Sequence, residues 1–324
     1  MSHVYVLVEH TGDQLSPVTG ELITAARQLG TVSAVVVGPA GTGDKLAPEL
    51  ARWGAAQVVD AQAADYESRL LTPEVDALHG LGAANPAPIL IAASATGNEI
   101  AGRVAARLAS GVLSNVSGIR PDGAAQHAIF GGSYDADATA AGPCPIYTLL
   151  PGSVAAEAEA SVGEVAAMQL PAATDRDVKV ESFTPAEKSA RPDLPSAPTV
   201  VAGGRGVGDE FAGVVEPLAD ALGAAVGVTR DAVDEGFYDA AYQIGQTGVT
   251  VTPDLYIGLG ISGAIQHTSG MQTAKNIVVV NQDQDEPFFQ IADLGVVGDL
   301  HEIAPALTEQ LKNLSLIHIS EPTR

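Results

Sequence analysis

The sequence predicts an α/β protein with two domains, each a mostly parallel sheet flanked by helices. Three observations carry this. Short β-branched apolar runs alternate with stretches of helical spacing, as in strands covered on both faces by crossover helices. The chain has 324 residues, enough for about two domains at ~150 residues each. Near the middle, residues 184–198 (TPAEKSARPDLPSAP) carry four prolines and few apolar residues. That composition reads as a semi-rigid extended linker. The expected division is a domain over 1–183, the linker, a second domain over 199–313, and a tail over 314–324.

In the first half, residues 4–8 (VYVLV) read as a strand and 17–29 as a helix, with apolar positions Val18, Leu22, Ile23, Ala26 and Leu29. Residues 33–37 (SAVVV) form the next expected strand, closed by Gly38 and Pro39. A helix near 45–53, strands at 56–59 and 88–92 (PILIA), and a helix over 98–108 continue the alternation. Beyond residue 110 the runs at 112–116, 126–131, 136–141, 145–150, 164–170 and 178–183 are shorter and more polar. They read as an antiparallel addition to the same domain. The turn at Ser94–Asn98 reads as a helix cap, with an anion seat as the alternative.

Composition excludes several functions. Apolar residues make up 46%, so a sizeable core is available. The net charge of −23 and the 4% aromatic content argue against nucleic-acid binding, which needs basic patches and stacking rings. The single cysteine, Cys144, excludes an intrachain disulfide and a CxxC pair. His3, His10, His79 and His127 show no metal-ligand spacing, so no metal is expected. No apolar run reaches the ~18 residues of a membrane span, and the first residues do not form a signal peptide. A cytoplasmic protein is expected.

In the second half, residues 199–202 read as a strand running into Gly203, Gly204, Arg205 and Gly206. A helix over 211–222 and a strand over 225–228 follow, the latter ending at Thr229 and Arg230. The strand at 255–257 enters Gly258-Leu-Gly260-Ile-Ser-Gly263, with a helix expected near Ser262 and a strand at 276–280 ending near Asp283. That is the order of a dinucleotide fingerprint, although a tight βα turn would also need such glycines. Residues 199–313 hold four cations against sixteen carboxylates, and both arginines directly follow expected strands. An anionic ligand at the strand ends would account for that placement.

The segment Leu255-Tyr-Ile-Gly-Leu-Gly-Ile-Ser-Gly-Ala-Ile-Gln-His267, with Gly270 and 277–281, resembles the signature of the electron transfer flavoprotein α subunit. Gly203–Gly206 and Gln243-Ile-Gly-Gln-Thr-Gly248 resemble that family's other flavin-site segments. The likeness covers the chain to about residue 313, including Thr96-Gly97-Asn98 leading into Arg103-Val-Ala-Ala-Arg107-Leu. Gly258 stands where the family usually has Ala or Thr, and Val279 where it usually has Ala.

The resemblance implies an FAD site in the second domain. Arg205 would neutralise the pyrophosphate, helped by Ser262, Gly263 and the helix N-terminus through Ala264 and Ile265. Thr229 and Arg230 would lie beside the flavin. The turn of Ile244, Gly245, Gln246 and Thr247 would bring Thr247 near N5. Gln266 and His267 would face the pyrimidine end of the ring, and Asn281, Asp299 and Leu300 the adenosine end. Positive charge at Arg230, a donor at His267 and Thr247 would tune the flavin toward an anionic semiquinone.

The family works as a heterodimer with a β subunit, to which the first domain would bind and which holds AMP or a second FAD. It is an electron carrier, not an enzyme with its own substrate. It takes electrons from acyl-CoA and related dehydrogenases, as in fatty acid β-oxidation, and delivers them to a membrane-bound quinone oxidoreductase. The alternative from the fingerprint alone is an NAD-dependent oxidoreductase using His267 as acid or base. Residues 314–324 (LSLIHISEPTR) read as a non-native tail, because an apolar LIHI follows a polar helix end at 309–313.

Overall fold

The computed structural model describes residues 3–130, 134–175, 177–184 and 190–320, with side chains through 314. The chain divides into two compact units, 1–185 without 130–132, and 186–324 with them.

The first unit opens with β1 (His3–Leu7), a hairpin of β2 (His10–Thr11) and β3 (Gln14–Leu15), and α1 (Val18–Arg27). Next come β4 (Thr31–Gly38), α2 (Thr42–Trp53), β5 (Gln57–Gln62) and α3 (Thr72–Ala84). Then follow β6 (Ile89–Ala92), α4 (Ala95–Leu108), β7 (Val112–Val116), β8 (Gly118–Ile119) and β9 (Ala125–Ile129). The unit ends with β10 (Tyr134–Ala138), β11 (Ile146–Leu149) and β12 (Glu164–Gln169). The main sheet has the order β12-β5-β4-β1-β6-β11-β7 and is parallel throughout. Its central strands are buried on both faces, which is why they read as continuous apolar runs.

The antiparallel addition is smaller than the sequence suggests. Among the described residues beyond 110, only β8, β9 and β10 form an antiparallel sheet. Residues 112–116, 145–150 and 164–170 supply β7, β11 and β12 of the parallel sheet instead. The first and last of these are its edges, half open to solvent, and so carry polar residues. Residues 178–183 form no strand; Lys179 makes one isolated bridge to Arg69. Gly131, the end of one expected strand, lies outside the described residues. Helix α3 went unread because its last turns hold Gly80 and Gly82. The cap reading of Ser94 holds: its hydroxyl accepts from the Gly97 amide at 2.9 Å and donates to Glu9 at 3.2 Å.

The second unit runs β13 (Thr199–Gly203), α5 (Phe211–Leu222), β14 (Ala225–Val228), α6 (Arg230–Asp234) and β15 (Leu255–Leu259). It continues with α7 (Ile265–Thr268), β16 (Ile277–Asn281), β17 (Leu294–Val297) and α8 (Leu300–Ser320). Its five-stranded parallel sheet has the order β14-β13-β15-β16-β17. Of the expected linker, 185–189 lie outside the described residues, and parts of 191–197 pack on the second unit. Leu194 and Ala197 enter the unit's core, and Arg191 bonds Asp220 at 2.6 Å and Glu216 at 3.2 Å. Helix α8 passes without a break through 314–320, while 321–324 fall outside the described residues.

Phe211 anchors this unit. It is buried and stacks on Tyr238 with ring centroids 4.8 Å apart. It fills the space a Cβ on Gly203 would take, 2.5 Å from that position. Phe211→Ala is expected to cost about 3–5 kcal/mol, read by denaturant unfolding; a cost below about 1 kcal/mol would refute this packing role.

Candidate functional site

All five strands of the second unit are parallel, so their C-terminal ends share one edge. The chain crosses from β13 to β14 on one side and returns to β15 on the other. A crevice opens outside the strand ends at such a switch point. The loops that follow β13, β14, β15 and β16 line a cavity of about 510 Å³ there, joined by the start of α8.

Glycines make the floor. A Cβ on Gly204 would lie 2.3 Å from the Gly260 carbonyl oxygen, and one on Gly206 would lie 2.9 Å from the Gly260 Cα. Gly206 donates its amide to the Gly260 carbonyl at 3.2 Å. Gly260 has φ +62°, a conformation that disfavours any side chain. Gly263, at φ +87°, packs on the backbone of Phe288, which a Cβ would meet at 2.4 Å. The departure at Gly258 has a local reason, since the Phe288 ring occupies the place of its Cβ, 2.5 Å away. The departure at Val279 is a buried core position.

One expectation fails here. No sustained helix starts near Ser262. Gly260 and Gly263 hold left-handed conformations, and α7 begins only at Ile265 and lasts four residues. So short a helix adds little dipole. Ser262 is instead an exposed loop residue on the cavity wall.

Arg205 stands beside the glycine floor. Its side chain is exposed and makes no ion pair or hydrogen bond among the described residues. Arg230 begins α6 after Thr229, whose hydroxyl caps the helix by accepting from the Ala232 amide. The Arg230 guanidinium pairs with Asp234 at 3.3 Å and stays largely exposed. Thr247 is exposed, and its hydroxyl accepts from Gln243 at 2.9 Å. Asn281 is tied down at both ends of its amide, donating to the Ile261 carbonyl and accepting from the Asp283 amide, each at 3.1 Å.

Thus Arg205, Thr229, Arg230, Ile244, Thr247, Ser262, Ala264, Gln266, His267, Asn281 and Leu300 converge on one cavity. Gly245, Gln246, Gly263, Ile265 and Asp299 do not line it. Gly245 and Gln246 pack against α7, where the Gln246 amide donates to the Gln266 carbonyl at 2.7 Å. Asp299 accepts from the His301 amide at 2.9 Å. The wall also includes Asp231, Ile261, Gln282 and Glu286, which the sequence reading missed. Their only signal was position, one or a few residues beyond a strand end.

His267 differs most from expectation. It is 5% exposed, and both ring nitrogens are used inside the protein. Nε2 meets the Tyr256 hydroxyl at 2.6 Å and Nδ1 meets the Ile244 carbonyl at 3.1 Å. Neither is free to donate into the cavity. Burial pushes its pKa down to about 4 against the smaller upward pull of the Ile244 carbonyl and Asp231.

A family model described as the electron transfer flavoprotein domain matches residues 4–184, and one described as the electron transfer flavoprotein FAD-binding domain matches 193–272. The electron transfer flavoprotein subunit alpha of Mycobacterium leprae (strain TN) is 50% identical over 315 residues, 96% of this chain and 99% of that one. The subunit of the same name from Mycobacterium tuberculosis (strain ATCC 25618 / H37Rv) is 52% identical over 314 residues, again 96% and 99%. That of Paracoccus denitrificans is 38% identical over 312 residues, 95% and 99%.

The buried histidine sets an acid limit on stability. Its pKa is near 6.5 unfolded and about 4 folded, so below pH 6.5 the unfolded chain binds the proton first. Stability from this group is complete above about 6.5 and falls by about 3 kcal/mol as pH drops to about 4. Urea unfolding at both ends of that range should show a steeper loss in the wild type than in His267→Gln. Equal losses would refute it.

Proposed function

The chain belongs to the electron transfer flavoprotein α-subunit family and has its FAD-binding domain; from that premise we propose that it carries electrons between a dehydrogenase and a membrane quinone reductase. It pairs with the β subunit that the relatives' name, subunit alpha, presupposes. The donors are acyl-CoA and related dehydrogenases, the acceptor is a membrane-bound quinone oxidoreductase, and the chain works in the cytoplasm. Among the described residues no helix is long and apolar enough to cross a membrane.

One observation carries the reading: an unpaired Arg205 over a glycine floor, in a cavity made by the strand ends. That combination fits an elongated ligand with a central diphosphate. The floor admits it because no Cβ intervenes, and Arg205 supplies a bidentate cation. Asn281 and Leu300, with the newly found Gln282 and Glu286, hold the adenosine end. Arg230, Thr229, Thr247 and Gln266 hold the ring end. Bound FAD supplies a redox group that accepts and releases electrons singly. Arg230 opposes the negative charge such a group gains on reduction, and its exposure leaves that charge modulated by Asp234. His267 supports the ring end as a neutral packed wall. The NAD-dependent alternative loses its acid–base group, since His267 is neutral and doubly bonded.

The test is a visible absorption spectrum of the heterodimer through stepwise reduction. Flavin bands that bleach in two one-electron stages are expected. A colourless heterodimer that takes up no added FAD would overturn the reading. Arg205→Ala should cost about 1.5–3 kcal/mol of cofactor binding, a tenfold or larger rise in Kd, seen as flavin lost on gel filtration. Arg230→Ala should lower the first reduction potential by tens of millivolts, since one charge near another in watery surroundings is worth about 1 kcal/mol. An unchanged potential would remove Arg230 from the tuning role.

A further inference from the structure

Tyr256 lies on β15 and is fully buried. A buried hydroxyl needs a partner, and the one within reach is His267 Nε2, at 2.6 Å. On the other side of the imidazole, Nδ1 faces the Ile244 carbonyl at 3.1 Å. A carbonyl oxygen only accepts, so Nδ1 must carry the hydrogen. Burial keeps the ring neutral, so Nε2 is bare and the tyrosine donates to it. The reverse arrangement would set two lone pairs against each other at Ile244.

The Ile244 carbonyl has no backbone donor among the described residues, and Ile244 itself is buried. Its amide donates to Val228 at 2.9 Å, which ties the same residue to the end of β14. The imidazole therefore bridges β15 to the turn 244–247. Phe288 closes the remaining side, its ring centroid 6.2 Å from both Tyr256 and His267. Gly245 presses on the Gln266 carbonyl and on Gly270, so the turn is fixed from two directions.

We infer that Tyr256 is a positioning residue that acts through His267: the Ile244 carbonyl selects the Nδ1–H tautomer, the Tyr256 hydroxyl locks it by donating to the bare Nε2, and the locked ring holds the Ile244–Thr247 turn at the cavity rim. The flavin reading underlies what the turn is held for; the hydrogen-bond geometry does not depend on it. Other charged groups near the ring are Asp231 from α6, and Arg205, Arg230 and Glu286 on the same cavity wall. The turn itself brings no titratable side chain.

The experiment is nitrogen-15 NMR of the His267 imidazole in the full heterodimer, from about pH 8 to about pH 5.5. The wild type should show one neutral form, protonated at Nδ1, across that range. A proton on Nε2, or an imidazolium at neutral pH, overturns the inference whether or not any variant folds. In Tyr256→Phe the bare Nε2 loses its donor, so its nitrogen-15 shift should move downfield or the ring should begin to protonate within the range. The first reduction potential of that variant should also become more pH-dependent than that of the wild type. A Tyr256→Phe protein with an unchanged imidazole signature and potential profile would reduce Tyr256 to a packing residue. A colourless protein that still shows Nδ1–H would sink the flavin reading and leave this one standing. A flavin-bound protein protonated at Nε2 would do the opposite.

Discussion

The second unit depends on a contact between two backbones. The loops after β13 and β15 touch at Gly204, Gly206 and Gly260, with no room for a Cβ between them. Neighbouring parallel strands lie ~4.8 Å apart, and side chains on their terminal loops would normally spread those loops. Removing the side chains lets the loops close into a floor. Arg205 is then held above it by a single 3-10 turn, and Leu300 packs at the far end, against Gly260. A Cβ on Gly204 or Gly206 would meet only main chain, and one on Gly260 would meet main chain as well as the Leu300 side chain, so the shape of the cavity follows from the glycines.

A second constraint works at the other end of the cavity. There the polar groups are buried, and burial makes each hydrogen bond costly to leave unmade. Tyr256, His267 and the Ile244 carbonyl satisfy one another in sequence, so three separate segments are locked by two bonds. The charged groups, by contrast, remain wet. Arg205 and Arg230 are exposed, and Arg230 shares its charge with Asp234. The site thus combines a rigid neutral wall with cations that solvent can still reach, and an anionic ligand would exclude that solvent.

Much of the fold was legible because buried parallel strands leave a strong mark. The runs at 33–37, 88–92 and 276–280 lie inside β4, β6 and β16 or overlap them closely. Edge strands leave a weaker one. β7 and β12 are partly open to solvent, and their polarity suggested an antiparallel appendage, part of which turned out to be the flanks of the main sheet. The proline-rich segment read as a semi-rigid extended linker by composition; within it Leu194 and Ala197 are buried and Arg191 is paired. A few apolar residues among prolines suffice for docking when a complementary surface exists, and a local composition window does not contain that surface.

By itself the sequence determined the alternation of strands and helices, the positions where only glycine fits, and the scarcity of cations that made two arginines conspicuous. Each is a local property, written in side-chain size, periodicity or charge. Tertiary structure alone decided which turns meet. It set Asp231, Gln282 and Glu286 on the same wall as Arg205, and it turned His267 inward to Tyr256 and Ile244. It also cut short the helix expected after the fingerprint, because Gly263 had to accommodate the Phe288 backbone. These outcomes depend on residues brought together across the sheet, and a side chain's direction is settled only when its distant neighbours are in place.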